Sequence, residues 1–98
     1  MFAFPLTECV VFSSRLQKRN RVQIPVVVRW RFKLECLQVL KVTVNALGYF
    51  GSYETFYAQM DGSGRINIPK LTLALLSNSI TEKPNLTGEV LQVRLEPA

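Results

Sequence analysis

The sequence predicts a mainly β domain assembled from two tandem copies of one ββαβ unit. Three observations carry that expectation. The first is self-similarity: KRNRVQIPVV (Lys18–Val27) is restated 44 residues later as GSGRINIPKL (Gly62–Leu71), and a repeat of this period organises a fold before any other feature does. The second is alternation of apolar and polar residues with period two in the flanking segments. The third is punctuation, because glycine or asparagine opens each restated segment and a proline closes its strand.

The elements follow in chain order. A first strand is expected over Glu8–Leu16 and again over Thr55–Met60, where Phe12 to Leu16 lies above Phe56 to Met60 at the same shift. Turns follow at Gln17–Asn20 and Asp61–Gly64, the second better supplied with residues that accept positive φ through Gly62 and Gly64. A short strand runs from Arg21 or Arg65 to Pro25 or Pro69. Proline cannot donate to a ladder and suits the first turn of a helix, so it ends the strand and opens the next element. After Pro69 a short helix over Lys70–Leu76 has Leu73, Leu75 and Leu76 as its apolar face. Last strands are expected over Val39–Val44 and Val90–Leu95, aligned at a shift of 51. The seven additional residues of the second copy fall around Ser77–Thr87, a stretch rich in loop formers.

Val26–Leu34 pulls two ways. Val28, Trp30, Phe32 and Leu34 alternate with Arg29, Arg31 and Lys33, which is strand periodicity, and three consecutive valines are poor helix formers. The aligned segment after Pro69 is leucine-rich, and the repeat therefore favours a short helix. The domain is divided as a first copy over 6–44, a crossover over 45–54 and a second copy over 55–98. In the crossover, Tyr49, Phe50 and Tyr53 read either as a stacking platform for bases or, more simply, as aromatics capping one end of the fold.

Composition bounds the function. Apolar residues make up 48% and charged residues 19% of the 98 residues, a globular balance in a chain long enough for one modest core. No apolar run reaches the roughly 20 residues of a membrane span. The N-terminal MFAFPLTECVVF lacks a leading positive charge and contains Pro5 and Glu8, so a cytoplasmic protein is expected rather than a secreted one. Cys9 and Cys36 are expected to be small buried apolar side chains. There is no histidine, so Ser-His and Cys-His pairs are impossible. Asp61 has no nearby acid with which to form a catalytic pair, and no phosphate-binding Gly-Lys-Ser/Thr loop occurs. Neither an enzyme nor a cofactor is expected.

The net charge of +5 is unevenly placed. Residues 1–44 carry eight bases and two acids, and residues 45–98 carry four bases and five acids. The basic half points to an anionic partner, DNA or RNA, or an acidic protein. Lys18, Arg19, Arg29, Arg31 and Lys33 are not repeated in the second copy, so the fold does not demand them.

These residues carry a resemblance. The order turn, Gly-Arg, strand ending in Ile-Pro, short helix, Gly-acid and apolar strand resembles the AbrB/SpoVT/MraZ-like proteins. It is seen in GSGRINIPKL with Gly88-Glu89-Val90-Leu91-Gln92-Val93, and again in NRVQIPVVVRWRFKL with Val39 to Val44. The likeness covers about 85 of the 98 residues. It departs in the first copy, where Leu37-Gln38 replaces the Gly-acid pair and Asn20 replaces a glycine. The resemblance implies a six-stranded pseudo-two-fold β-barrel, either a fused swapped-hairpin barrel or, preferred here, a RIFT-type monomer. It also implies a DNA-binding face to which Arg15, Arg21 and Arg29 correspond, with Arg31 beside them. In the second copy only Arg65 corresponds. The expected nucleic-acid-binding set is Arg15, Lys18, Arg19, Arg21, Arg29, Arg31 and Lys33. Pro25, Gly62, Gly64 and Pro69 are expected to shape the fold, and the alternative is a structural or protein-interaction domain without nucleic-acid affinity.

Overall fold

Among the described residues, six strands and two α-helices follow one another in the order ββαβ twice over, as the repeat demands. The structure is a computed structural model describing residues 9–35, 38–46, 53–79 and 87–97. The strands are β1 (Val10–Arg15), β2 (Arg21–Gln23), β3 (Val39–Ala46), β4 (Tyr53–Gln59), β5 (Arg65–Asn67) and β6 (Val90–Pro97). The helices are α1 (Val26–Arg31) and α2 (Lys70–Ser79), and a 3-10 turn, Lys18–Asn20, precedes β2.

The strands form two antiparallel sheets, one of four strands in the order β1-β6-β3-β4 and one of two, β2-β5. No ladder joins the two among the described residues. The architecture is therefore a mainly β fold of two sheets, not a closed ladder of six strands. Two residues, an isoleucine and a proline, separate each short strand from its helix, as the prolines dictate.

The pairing scheme is unchanged when the two copies are exchanged. Val10 pairs with Leu95 in β1–β6, and the equivalent residues Glu54 and Val44 pair in β4–β3. Leu40 with Pro97 and Ala46 with Leu91 are exchanged in β3–β6, as are Arg21 with Asn67 and Gln23 with Arg65 in β2–β5. Loop hydrogen bonds repeat too. Gln17 N donates to Arg21 O at 2.8 Å and Asp61 N to Arg65 O at 2.9 Å, while Ile24 N donates to Gly64 O at 2.8 Å and Ile68 N to Asn20 O at 2.7 Å. Asn20 (φ 60°) and Gly64 (φ 80°) hold the same left-handed conformation, and asparagine is the side chain that tolerates it best after glycine. Among the described residues every ladder joins one copy to the other.

The core is the set of inward positions from both sheets. Val22, Ile24, Leu40, Val42, Val44, Ile66, Leu76, Leu91, Val93 and Leu95 are fully buried, and Phe12, Leu16, Phe56 and Met60 extend the same cluster. The strict alternation of β3 and β6 leaves their other face to water, as an antiparallel sheet permits.

The structure corrects several expectations. β3 runs on to Ala46 and β4 begins at Tyr53, with Asn45 paired to Tyr53. The segment expected as a crossover therefore has hairpin-paired ends; Tyr49 and Phe50 lie outside the described residues, as does Cys36. Cys9 is exposed, not buried: alternation through the inward-facing Val10 turns Cys9 outward, where its Sγ accepts a bond of 2.8 Å from Arg94 Nε. On α2, Leu76 is buried and Leu73 packs against the core, but Leu75 faces outward and Thr72 takes the buried place. Gly64 needs glycine's freedom, whereas Gly62 neither has positive φ nor meets a close neighbour.

Val26–Leu34 resolves as helix and stop. Leu34 N donates to Arg29 O at 3.0 Å and Lys33 N to Trp30 O at 3.4 Å, the bond pair of a Schellman C-cap with Lys33 at the left-handed position. Lys33 has φ 53°, and Leu34 then drops into the core. A lysine at that position costs about 1–2 kcal/mol of backbone energy. Lys33→Gly is expected to raise stability by about 0.5–1 kcal/mol once the greater unfolded-state entropy of glycine is subtracted, read as the midpoint of a urea melt.

Candidate nucleic-acid interface

The outer face of the β2–β5 ribbon is polar because its inner face is not. Val22 and Ile66 are wholly buried, so their neighbours Arg21, Gln23, Arg65 and Asn67 point the other way. The antiparallel register sets Arg21 beside Asn67 and Arg65 beside Gln23, which places two arginines on a diagonal of a three-pair ribbon.

Around this face lies a cavity of about 240 Å³ lined by Arg19, Arg21, Gln59, Asp61, Arg65 and Asn67. Three arginines and one aspartate thus share its wall. Arg19 reaches it from the 3-10 turn with φ 64°, Gln59 from the end of β4, and Asp61 from the turn before β5. Arg21 and Arg65 are half-buried and the other lining residues are more exposed, Arg19, Asp61 and Asn67 among them, so the cavity opens to solvent.

Asp61 is fixed by its own turn. Its Oδ1 accepts bonds from Ser63 N at 2.8 Å and Arg65 N at 3.0 Å, an Asx arrangement that stabilises the tight reversal. The Arg65 N–H, more than the nearby Arg65 and Arg21 charges, holds this carboxyl below the ordinary value of 3.8. A depressed carboxyl stabilises the fold above its unfolded pKa, and that contribution is lost as pH falls through the folded value. Asp61→Asn keeps the Oδ1 acceptor and removes the charge. It is expected to flatten the dependence of urea stability on pH between 5 and 2, and to raise affinity for an anion in the cavity about fivefold at low salt.

Gln23 fastens the ribbon to that turn. Its Nε2 donates to Ser63 O at 2.9 Å and to Gly64 O at 3.3 Å, and its Oε1 accepts from Arg65 Nε at 3.3 Å. Arg29 approaches from α1: a Cβ on Gly64 would stand 2.5 Å from the Arg29 guanidinium carbon, and the buried Arg29 Nε has no hydrogen-bond partner. The glycine leaves the room in which that guanidinium lies.

The expected basic residues are therefore distributed. Arg19 and Arg21 are brought together in the cavity, and Arg29 packs on the turn beside it. Lys18 lies in the same 3-10 turn as Arg19. Arg31, with its guanidinium 5.7 Å from the Phe32 ring centroid, and Lys33 lie at the C-terminal end of α1, where cations complement the helix dipole. Arg15 sits at the end of β1 and its Nη1 donates to Gly88 O at 2.6 Å, supporting the turn into β6. Arg65 corresponds to the implied binding face but stands outside the expected set, and Asp61, Gln59, Asn67 and Gln23 were not expected at the site at all. Register in the β2–β5 ribbon assembles them, and only the paired recurrence of Arg21 and Arg65 signalled it.

Among the described residues there is no group of three or more potential metal ligands, and no helix is long and apolar enough to cross a membrane. No family model and no curated protein matches the chain. The solution structure of PHS018 from Pyrococcus horikoshii is similar in fold, with a TM-score of 0.69 and 24% sequence identity over 96% of this chain and 92% of that one.

Proposed function

We propose that this chain is a small non-enzymatic β protein of AbrB-like ancestry that binds nucleic acid through the basic face of its first repeat, in the manner of a transcription regulator. The barrel of that ancestry, RIFT or fused swapped-hairpin, is part of the proposal, and the interleaving of the copies in every ladder supports it. The observation that carries the functional reading is the convergence of Arg19 and Arg21 of the first repeat on one open cavity, where Arg65 of the second repeat joins them. Guanidinium groups match phosphate oxygens in charge and in geometry. A second observation adds weight: Arg19 and Lys33 hold left-handed backbone conformations that glycine would adopt with less strain, and strain retained at basic side chains marks positions valued for their charge.

The competing reading is a structural or protein-interaction domain. It draws on the bonds that tie Arg15 to Gly88 and Arg65 to Gln23, since an arginine serving the fold needs no ligand. Fluorescence anisotropy with labelled single-stranded and duplex DNA and RNA, at two salt concentrations, separates the two. Binding that weakens steeply with salt is the expected result. Absence of binding at low salt would leave only the competing reading.

A further inference from the structure

The hairpin β3–β4 presents a second surface that joins the cavity without a break. Along β4 the outward positions are Tyr53, Thr55, Tyr57 and Gln59, and Gln59 is itself a wall of the arginine cavity. Tyr57 is therefore two residues from that wall on the same strand face. Both tyrosines are more than half exposed, Tyr53 at 59% and Tyr57 at 63%. Their cross-strand partners are Asn45 and Lys41, and between them Thr43 and Thr55 join their hydroxyls at 3.0 Å. On β6 the next outward residues are Glu96 and Arg94, paired with Lys41 and Thr43. Arg94 is engaged by Glu96 at 3.5 Å and by Cys9, so the cation immediately beside Tyr57 is Lys41.

A hydrophobic protein-docking patch would close over with aliphatic side chains. Here the exposed rings stand apart among threonine, asparagine, glutamine and lysine, and Val39, opposite Gln59, is the single exposed aliphatic among the described residues of that hairpin face. At about 3.4 Å per residue the two tyrosines lie about 14 Å apart, too far to sandwich one ring and suited to serve two separate ones. Flat π faces on a rigid sheet beside cations are how sheet surfaces hold unstacked bases.

We infer that the outer face of β3–β4 is a stacking platform for single-stranded nucleic acid, with Tyr53 and Tyr57 each taking a base and Lys41 a phosphate, and that the strand continues past Gln59 into the Arg19–Arg21–Arg65 cavity. The inference rests on the proposed nucleic-acid reading and adds to it a strandedness: duplex bases are stacked on each other and have no free face to offer.

The test is anisotropy with a labelled oligothymidylate and a labelled duplex of equal length, on the wild type, Tyr53→Thr, Tyr57→Thr and Tyr57→Phe. Threonine keeps β propensity, and the thermal midpoint of each variant verifies folding. The wild type is expected to prefer the single strand. Each threonine variant should weaken single-strand binding roughly 5- to 100-fold and leave duplex binding alone, with Tyr57→Phe close to wild type. Equal binding of both forms, unaffected by the threonine variants, would overturn the platform while the basic-face reading stands. Failure to bind either form at low salt would overturn both. Binding of polyglutamate in place of either nucleic acid would assign the face to an acidic protein and overturn the platform as well.

Discussion

Replacing Arg19, Arg21 and Arg65 together with glutamine is expected to reduce the affinity for single-stranded DNA at low salt by at least tenfold and to lower the slope of log K against log salt by about 2, since each neutralised phosphate on a single strand contributes about 0.7. The three residues come from different places in sequence, two on the first copy and one on the second, yet line one cavity. Single replacements should each remove about a third of the change in slope. Arg65→Gln should also lower stability by about 1 kcal/mol, because its Nε holds Gln23 Oε1 and Gln23 in turn holds the Ser63–Gly64 turn. Arg19→Gln loses no such bond, so its effect should fall on binding alone. Titration at four or five salt concentrations gives the slopes, and a slope unchanged in the triple variant would remove the cavity from the interface.

Leu95→Ala is expected to lower stability by about 3 kcal/mol, within the 2–5 kcal/mol typical of buried leucines. Leu95 is wholly buried and stands in β6 between Val10 of β1 and Val42 of β3, so the lost atoms leave a hole in the middle of the four-stranded sheet. A domain of this size commonly has only about 5–15 kcal/mol in all. The midpoint temperature should fall by roughly 12–24 °C at about 4–8 °C per kcal/mol. Its counterpart in the other copy is Val44, also wholly buried. Val44→Ala should cost about 0.8 kcal/mol less in transfer free energy, because it removes one carbon fewer. Denaturant melts of both variants check the pair, and equal losses would show that the two halves of the sheet do not pack alike.

Much of the fold was legible because duplication writes the same instruction twice. Arg-Val-Gln-Ile-Pro and Arg-Ile-Asn-Ile-Pro locate both short strands and both helix starts, and the aligned Asn20 and Gly64 do adopt the same left-handed turn. What failed to be legible has particular causes. The helix α1 hides behind strand periodicity because it is only six residues long and ends on a lysine where a glycine would have announced the stop. The hairpin register of β3–β4 was hidden because Tyr53, which begins β4, reads equally well as a loop aromatic. Cys9 was misplaced by a residue-type average that alternation overrides. The strands appear as two sheets, and which edges approach one another is set by twist and packing, which no local pattern records. The candidate site was half visible. Basic residues could be counted along the chain, but the meeting of Arg21 with Asn67 and of Arg65 with Gln23 depends on a ladder between residues more than forty apart, and only folding creates it.

The exchange of strands between copies bears on how the chain is made. Apart from the β3–β4 hairpin, every ladder closes a long loop, and such pairing is slow because the loop entropy must be lost before the contacts repay it. β6 is the last strand in chain order, and it is the ladder partner of both β1 and β3. A nascent chain that has left the ribosome as far as residue 89 holds only the hairpin and the short ribbon, with β1 unpaired and one edge of β3 bare. Until Val90 to Pro97 emerges, these edges of β1 and β3 stay open, and open strand edges are the surfaces that recruit chaperones or other chains.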